Sequence, residues 1–291
     1  MRLSVNTNPY HEKGFSDNEI VDLIASAGFD AIDFSFFDEC YYNEQTDCEE
    51  FKCHFLALRK RAEEKGLVFN QAHAPFPTGS TDKQEEEKIF WDVVRSMRNA
   101  SYLGVETIVV HPRTHLRYAN DNAPELLFEQ NMEFYHSLIP YCEKYKIKVA
   151  VENMWGCYVG RKINHHVCSR PNEFIRYVDT LDSEWIVGCL DVGHACLVCE
   201  EPADMIRKLG TKRLQALHIH DVDGLSDQHT LPYLGIIEWE KVMTALKEIR
   251  YQGDFTFETD GFFRNAPKSL VFSATKHLEK TGRYLMEMIE V

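Results

Sequence analysis

No stretch of this 291-residue chain stays apolar over the length of a membrane span. The opening residues, MRLSVNTNPY, carry no apolar segment of the signal-peptide kind either. Cationic side chains are scarce: 32 Lys and Arg stand against 46 Asp and Glu, a formal charge of −14. Such a chain gains nothing from the field of a phosphate backbone, so a nucleic-acid partner is not favoured. A disulfide framework is also missing. The nine cysteines are odd in number and scattered, with one CxxC at Cys196–Cys199, which fits a reducing cytoplasm. No Pro/Gly/Ser-rich linker or low-complexity tract interrupts residues 1–291, which are expected to form one domain.

What the chain does have is regular alternation. Eight short apolar runs are each followed by a longer amphipathic stretch: LSVNTN, FDAIDFSF, VFNQAHAP, TIVVHP, KVAVEN, VGCLDVGHA, LQALHIHDVD and FTFETDG. Buried strands alternating with helices imply a parallel sheet covered on its outside. Eight repeats at this length predict an α/β fold, a single (β/α)8 TIM barrel. Helices are expected at Asp17–Ala27, Asp82–Leu103 and Glu125–Lys144, with another begun by Ser169 and Pro171. Gly156–Ser169 is the longest irregular piece and is placed to cover the barrel mouth.

A barrel carries its chemistry at the C-terminal ends of its strands. Here His73 ends the third strand, His111 the fourth and Glu152 the fifth. Asp191 and His194 end the sixth, His218 and His220 the seventh, and Glu258 the eighth. Side chains alternate along a strand, so Val149 and Val151 share one face while Ala150 and Glu152 share the other. The same alternation turns His218, His220 and Glu258 inward. Converging carboxylates repel one another, and a divalent cation removes that penalty. A single inward histidine is more often a hydrogen-bonded core residue than a ligand. Six strands delivering metal-type residues at one end are not read that way. Carboxylates mixed with imidazole suit Mn2+ or Zn2+, with Mg2+ or Co2+ also compatible.

In this order and at these strand ends, QAHAPF, VVHP, VEN, LDVGHA, LHIHD, DQH and FETDG are specific. The chain resembles the xylose isomerase-like TIM barrel superfamily, which holds sugar isomerases and epimerases together with endonuclease IV. For the 3-epimerase branch, the resemblance implies Glu152, Asp191, His218 and Glu258 as ligands of one divalent metal. It further implies Glu152 and Glu258 as an acid/base pair on opposite faces of a sugar. One removes the proton beside the carbonyl, the metal stabilises the enediolate, and the other returns a proton. His194 matches a residue that contacts substrate hydroxyls. The chain departs from the tagatose-type pattern at Gly224, where those enzymes place a substrate-binding arginine.

For the endonuclease branch, the resemblance implies a three-zinc site. Its nine positions are filled by His73, His111, Glu152, Asp191, His194, His218, Asp227, His229 and Glu258. Asp227 and His229 therefore decide between a further metal and a substrate contact. Dehydratases of the inosose or dehydroshikimate type share the architecture and the first proton abstraction. The preferred expectation is a metal-dependent isomerase or epimerase acting on a small sugar-like substrate. A homo-oligomer is compatible with it. Trp155 and Phe262 are candidates to stack on the sugar, and Arg113 to bind a substrate phosphate or carboxylate, with Arg161, Lys162 and Arg264 nearby. His220 and Asp221 are expected behind the ligands, and Asp223 in the turn before Gly224.

Overall fold

The computed structural model describes residues 1–116, 123–156, 158–159, 162–163 and 165–290, with the side chains of 158–159, 162–163 and 290 left aside. Among these, the strands are β1 (Leu3–Asn6), β2 (Ala31–Ser35), β3 (Val68–His73), β4 (Thr107–Val110) and β5 (Lys148–Glu152). They continue with β6 (Tyr158–Val159), β7 (Lys162–Ile163), β8 (Ile186–Asp191), β9 (Leu214–His218) and β10 (Phe255–Phe257). Eight of them form one parallel sheet in the order β10-β1-β2-β3-β4-β5-β8-β9. Bonds from Ile219 N to the Thr256 carbonyl (2.9 Å) and from Glu258 N to the Ile219 carbonyl (3.1 Å) join its two ends. The expected (β/α)8 barrel is the fold.

The helices form where the sequence marks their ends. Ser16 and Glu19 make a capping box before Asp17–Ala27, and Gly28 closes that helix in the left-handed region at φ 98°. Asp82 accepts from the amides of Gln84 and Glu85 ahead of Lys83–Leu103. Two expectations need correction. The helix Pro171–Leu181 begins with Arg170 at its cap position, because the Ser169 hydroxyl instead accepts the His166 amide at 3.2 Å. The stretch expected to be irregular contains the antiparallel pair β6–β7.

Two interiors result from strand alternation. Outward faces such as Leu3, Ile32, Phe34, Val149, Val151, Phe255 and Phe257 pack against the helical ring. Inside the barrel, Val109, Ala150, Val187, Cys189 and Ala216 make a small apolar plug on one side. The other side is polar: Ser4 Oγ donates to Asn70 Oδ1 at 2.7 Å, and Ser35 Oγ to Asn6 Oδ1 at 2.7 Å. Among the described residues, no helix is long and apolar enough to cross a membrane.

Outside the barrel, Asp17 anchors a second polar cluster. Its Oδ1 meets His11 Nε2 (2.9 Å) and the Tyr41 hydroxyl (2.8 Å), and its Oδ2 meets His54 Nε2 (2.8 Å). The hydrogen bond to Asp17 raises His54 from its ordinary value, against the effect of burial. A raised histidine stabilises fully below its unfolded pKa of about 6.5, and that support is lost as pH rises through the folded value. The melting-temperature deficit of His54→Ala should therefore be largest near pH 5.5 and shrink above pH 7. With His54 half exposed, the deficit corresponds to at most about 1 kcal/mol. A deficit unchanged between those pH values would exclude a charged pair.

Candidate metal centre

The inward-facing ends of the strands meet at the C-terminal mouth. Glu152, the last residue of β5, is fully buried and ringed by imidazoles. Its Oε2 lies 3.1 Å from His111 Nε2 and 3.6 Å from His73 Nε2. Its Oε1 lies 3.3 Å from both His194 Nδ1 and His218 Nδ1. Across the barrel, Glu258 follows β10 and brings Oε2 to 3.1 Å from the same His218 Nδ1. Asp191 ends β8 and caps the short helix Val192–Leu197 by accepting the His194 amide at 2.7 Å, which puts His194 one turn beyond the strand.

Three groups of side chains bring ligand atoms within 4.8 Å of one another: Glu152–Asp191–His218–Glu258, His73–Glu152–His218, and His194–His220–Asp227–His229. Burial raises Glu152, but the charges of His218 and His111 outweigh it and hold the carboxyl well below the usual range. Burial raises Glu258 too, and there His218 and His229 do not offset it.

Whether a metal fits can be tested on the atoms left over. Among the described residues, both oxygens of Glu152, both ring nitrogens of His218, His194 Nε2 and Asp227 Oδ1 are buried without a hydrogen bond of acceptable geometry. Buried polar atoms are normally paired, and orphans cost on the order of 1–3 kcal/mol each. Here they are concentrated on carboxylates and imidazoles that face one another. That donor set, with its lone pairs unclaimed by the protein, fits a divalent cation.

A cavity of about 470 Å³ opens above these residues. Its walls include Asn8, Glu12, Phe37, Phe76, Trp155 and Asp260 besides the histidines and carboxylates. Trp155 stacks on His194 with ring centroids 4.4 Å apart, and Phe76 on His111 at 5.1 Å.

The sequence profile of the xylose isomerase-like TIM barrel family matches residues 21–279. The chain belongs to this family. A D-psicose 3-epimerase of Enterocloster bolteae is 23% identical over 267 residues, covering 89% of this chain and 82% of that protein. A crystal structure of a D-tagatose 3-epimerase-like protein superposes with a TM-score of 0.79 at 21% identity, covering 100% of this chain and 98% of that one. A crystal structure of the IOLI protein with a bound zinc atom gives a TM-score of 0.78 at 17% identity, over 99% and 98% of the two chains.

All nine positions matched to the endonuclease branch of the family come together at this mouth, and Trp155 joins them. Arg113 and Phe262 do not. Arg113 pairs with Glu86 at 2.6 Å, and its guanidinium lies over the Phe134 ring, so the helix Ala123–Tyr145 draws it away from the cavity. Phe262 packs on Phe263 and His277. Arg264 is exposed, while Arg161 and the Lys162 side chain lie outside the described residues. His220 stands behind Asp191 as expected, with Nε2 at 2.9 Å from each oxygen. Asp221 instead holds the following loop: it accepts from the Val222, Tyr233 and Ile237 amides and from Trp239 Nε1. Asp223 accepts from the Leu225 and Ser226 amides, and Gly224 takes φ 78° in that turn. Asn8, Phe37 and Asp260 were not singled out by the sequence. Each lies just beyond the end of a strand, the one signal that would have found them.

Proposed function

We propose that the chain is a divalent-metal-dependent epimerase or isomerase of a small sugar or polyol-derived ketone. The observation that carries this reading is the convergence of Glu152 and Glu258 on one imidazole nitrogen, Nδ1 of His218, at 3.3 and 3.1 Å. Glu152, Asp191, His218 and Glu258 would hold the ion. A bound divalent ion supplies polarisation of the substrate carbonyl, which acidifies the neighbouring C–H. Glu152, kept ionised by its ring of imidazoles, is suited to accept that proton, and Glu258 to return one from the other side. Trp155 and Phe76 offer apolar faces to the sugar and narrow the approach of water. The epimerase and zinc-bound relatives support the same reading.

The experiment is proton exchange. Incubated with candidate ketoses in deuterated buffer and Mn2+ or Co2+, the protein should exchange the proton on the carbon beside the carbonyl, as followed by NMR. Chelation should abolish the exchange. The nine convergent donors favour a second reading, a three-zinc phosphoesterase. Three tightly held zinc ions and cleavage of an abasic-site oligonucleotide, without exchange, would replace the first reading by that one. Loss of water from the exchanged product would assign a dehydratase of the same fold.

The walls also bear on phosphorylation. No Lys or Arg is among the described residues that line the cavity, whereas Glu12, Asp227 and Asp260 are. Like charges brought together cost several kcal/mol in a recognition site. The kcat/KM for an unphosphorylated sugar should therefore exceed that for its phosphate ester by at least about tenfold. The opposite order would point to a cation from another part of the chain.

A further inference from the structure

Asp33, the third residue of β2, is fully buried inside the barrel and belongs to none of the ligand groups. The alternation that sends Ile32 and Phe34 out to the helices turns Asp33 inward. Its Oδ2 accepts from Asn6 Nδ2 at 3.2 Å and Gln71 Nε2 at 3.3 Å, and its Oδ1 has no partner among the described residues. That Oδ2 lies 3.8 Å from His218 Nε2, which is itself buried and without a hydrogen bond among the described residues. A buried carboxylate this thinly bonded is expensive to keep unless it answers another group.

The other imidazoles at the mouth show what that group is. His73 Nδ1 faces the Ala74 carbonyl at 2.8 Å, His194 Nδ1 the Asn153 carbonyl at 2.9 Å, and His229 Nδ1 the Glu258 carbonyl at 3.1 Å. A carbonyl only accepts, so each of these rings carries its proton on Nδ1 and presents Nε2 to the site. His218 is turned the other way. Its Nδ1 faces Glu152 and Glu258, and its Nε2 points down into the barrel toward Asp33.

We propose that Asp33 is a positioning residue, whose carboxylate holds His218 as the Nε2–H tautomer and leaves the Nδ1 lone pair facing Glu152 and Glu258. The proposal rests on His218 being a metal ligand in the reading above. A ligating histidine typically donates its second N–H to such an acceptor, which fixes the ring and raises its basicity. The 3.8 Å separation closes to a hydrogen bond with a shift of under about 1 Å.

Two measurements test it, and neither is an activity. In Asp33→Asn, the affinity for Mn2+, measured by calorimetry, should fall about 10- to 100-fold. The melting temperature in chelator should hold or rise, since a sparsely bonded buried charge has been removed. A residue serving only the fold would give the reverse: lower melting and unchanged affinity, which would overturn the proposal. If the variant does not fold, the wild type decides. Imidazole 15N spectra of the Zn2+-loaded wild type, with the His218 signals identified by their absence in His218→Asn, should show Nε2 protonated and Nδ1 without a proton. An Nδ1–H tautomer overturns the proposal. A wild type that binds no divalent ion removes the ligand reading, and the spectra of the metal-free protein then judge the Asp33 contact by whether Nε2 carries a proton.

Discussion

Glu152→Gln and Glu258→Gln should each lower turnover by more than about a hundredfold, the usual lower scale for losing a general acid or base. Gln keeps the shape of the side chain and one oxygen acceptor but neither takes nor returns a proton near neutral pH. The two variants should differ in metal content. Four imidazoles stand within 3.6 Å of the Glu152 carboxylate, those of His73, His111, His194 and His218. Among the described residues, only His218 and His229 are that close to Glu258. Neutralising Glu152 therefore removes the charge that most of the cluster faces, and metal retention should fall further in Glu152→Gln than in Glu258→Gln. Turnover and bound metal, measured on the same preparations, separate the proton-transfer role from the ligand role. Either variant within about tenfold of the wild type would take that glutamate out of proton transfer.

The contrast between Glu152 and Asp33 shows how far the sequence could be read. Glu152 closes an apolar strand at the end where barrels carry chemistry, and five other strands repeat the pattern, so its place was legible from residue type and period alone. Asp33 obeys the same period in AIDFS, but it sits in mid-strand rather than at a strand end. A titratable residue turned into an apolar interior needs a partner, and that rule would have found it. Arg113 fails for a different reason. It is the third residue past the end of β4, where alternation no longer sets direction, and its orientation comes from Glu86 and Phe134, far away in sequence. Asp221 was misplaced because its four donors come from Val222 and from residues 233–239, at the far end of a loop whose path no local signal reveals.

Asp221→Ala should cost about 3–5 kcal/mol of stability, because it leaves four donors unpaired at about 1 kcal/mol or more each. The carboxylate is fully buried. Its Oδ1 accepts from the Val222 and Ile237 amides at 2.9 and 3.1 Å, and its Oδ2 from the Tyr233 amide and Trp239 Nε1, both at 2.9 Å. Alanine leaves all four donors facing a void that only water could fill. Trp239 is itself fully buried at the start of the helix Trp239–Glu248, so the loss reaches the packing between barrel and helices. At about 2–4 °C per kcal/mol for a chain approaching this size, the melting temperature without metal should drop by roughly 6–20 °C. The same loop carries Asp227 and His229, and its backbone is tied at Asp221 by paired bonds to Thr230 of 2.9 and 3.1 Å. His218 stands on β9, outside that loop. Asp221→Ala should therefore weaken what depends on Asp227 and His229 before what depends on Glu152 and His218. If those two residues hold a metal of their own, the variant loses one equivalent first; if they contact substrate, KM rises while metal content holds. A melting temperature within about 2 °C of the wild type would show that the loop keeps its path without the carboxylate.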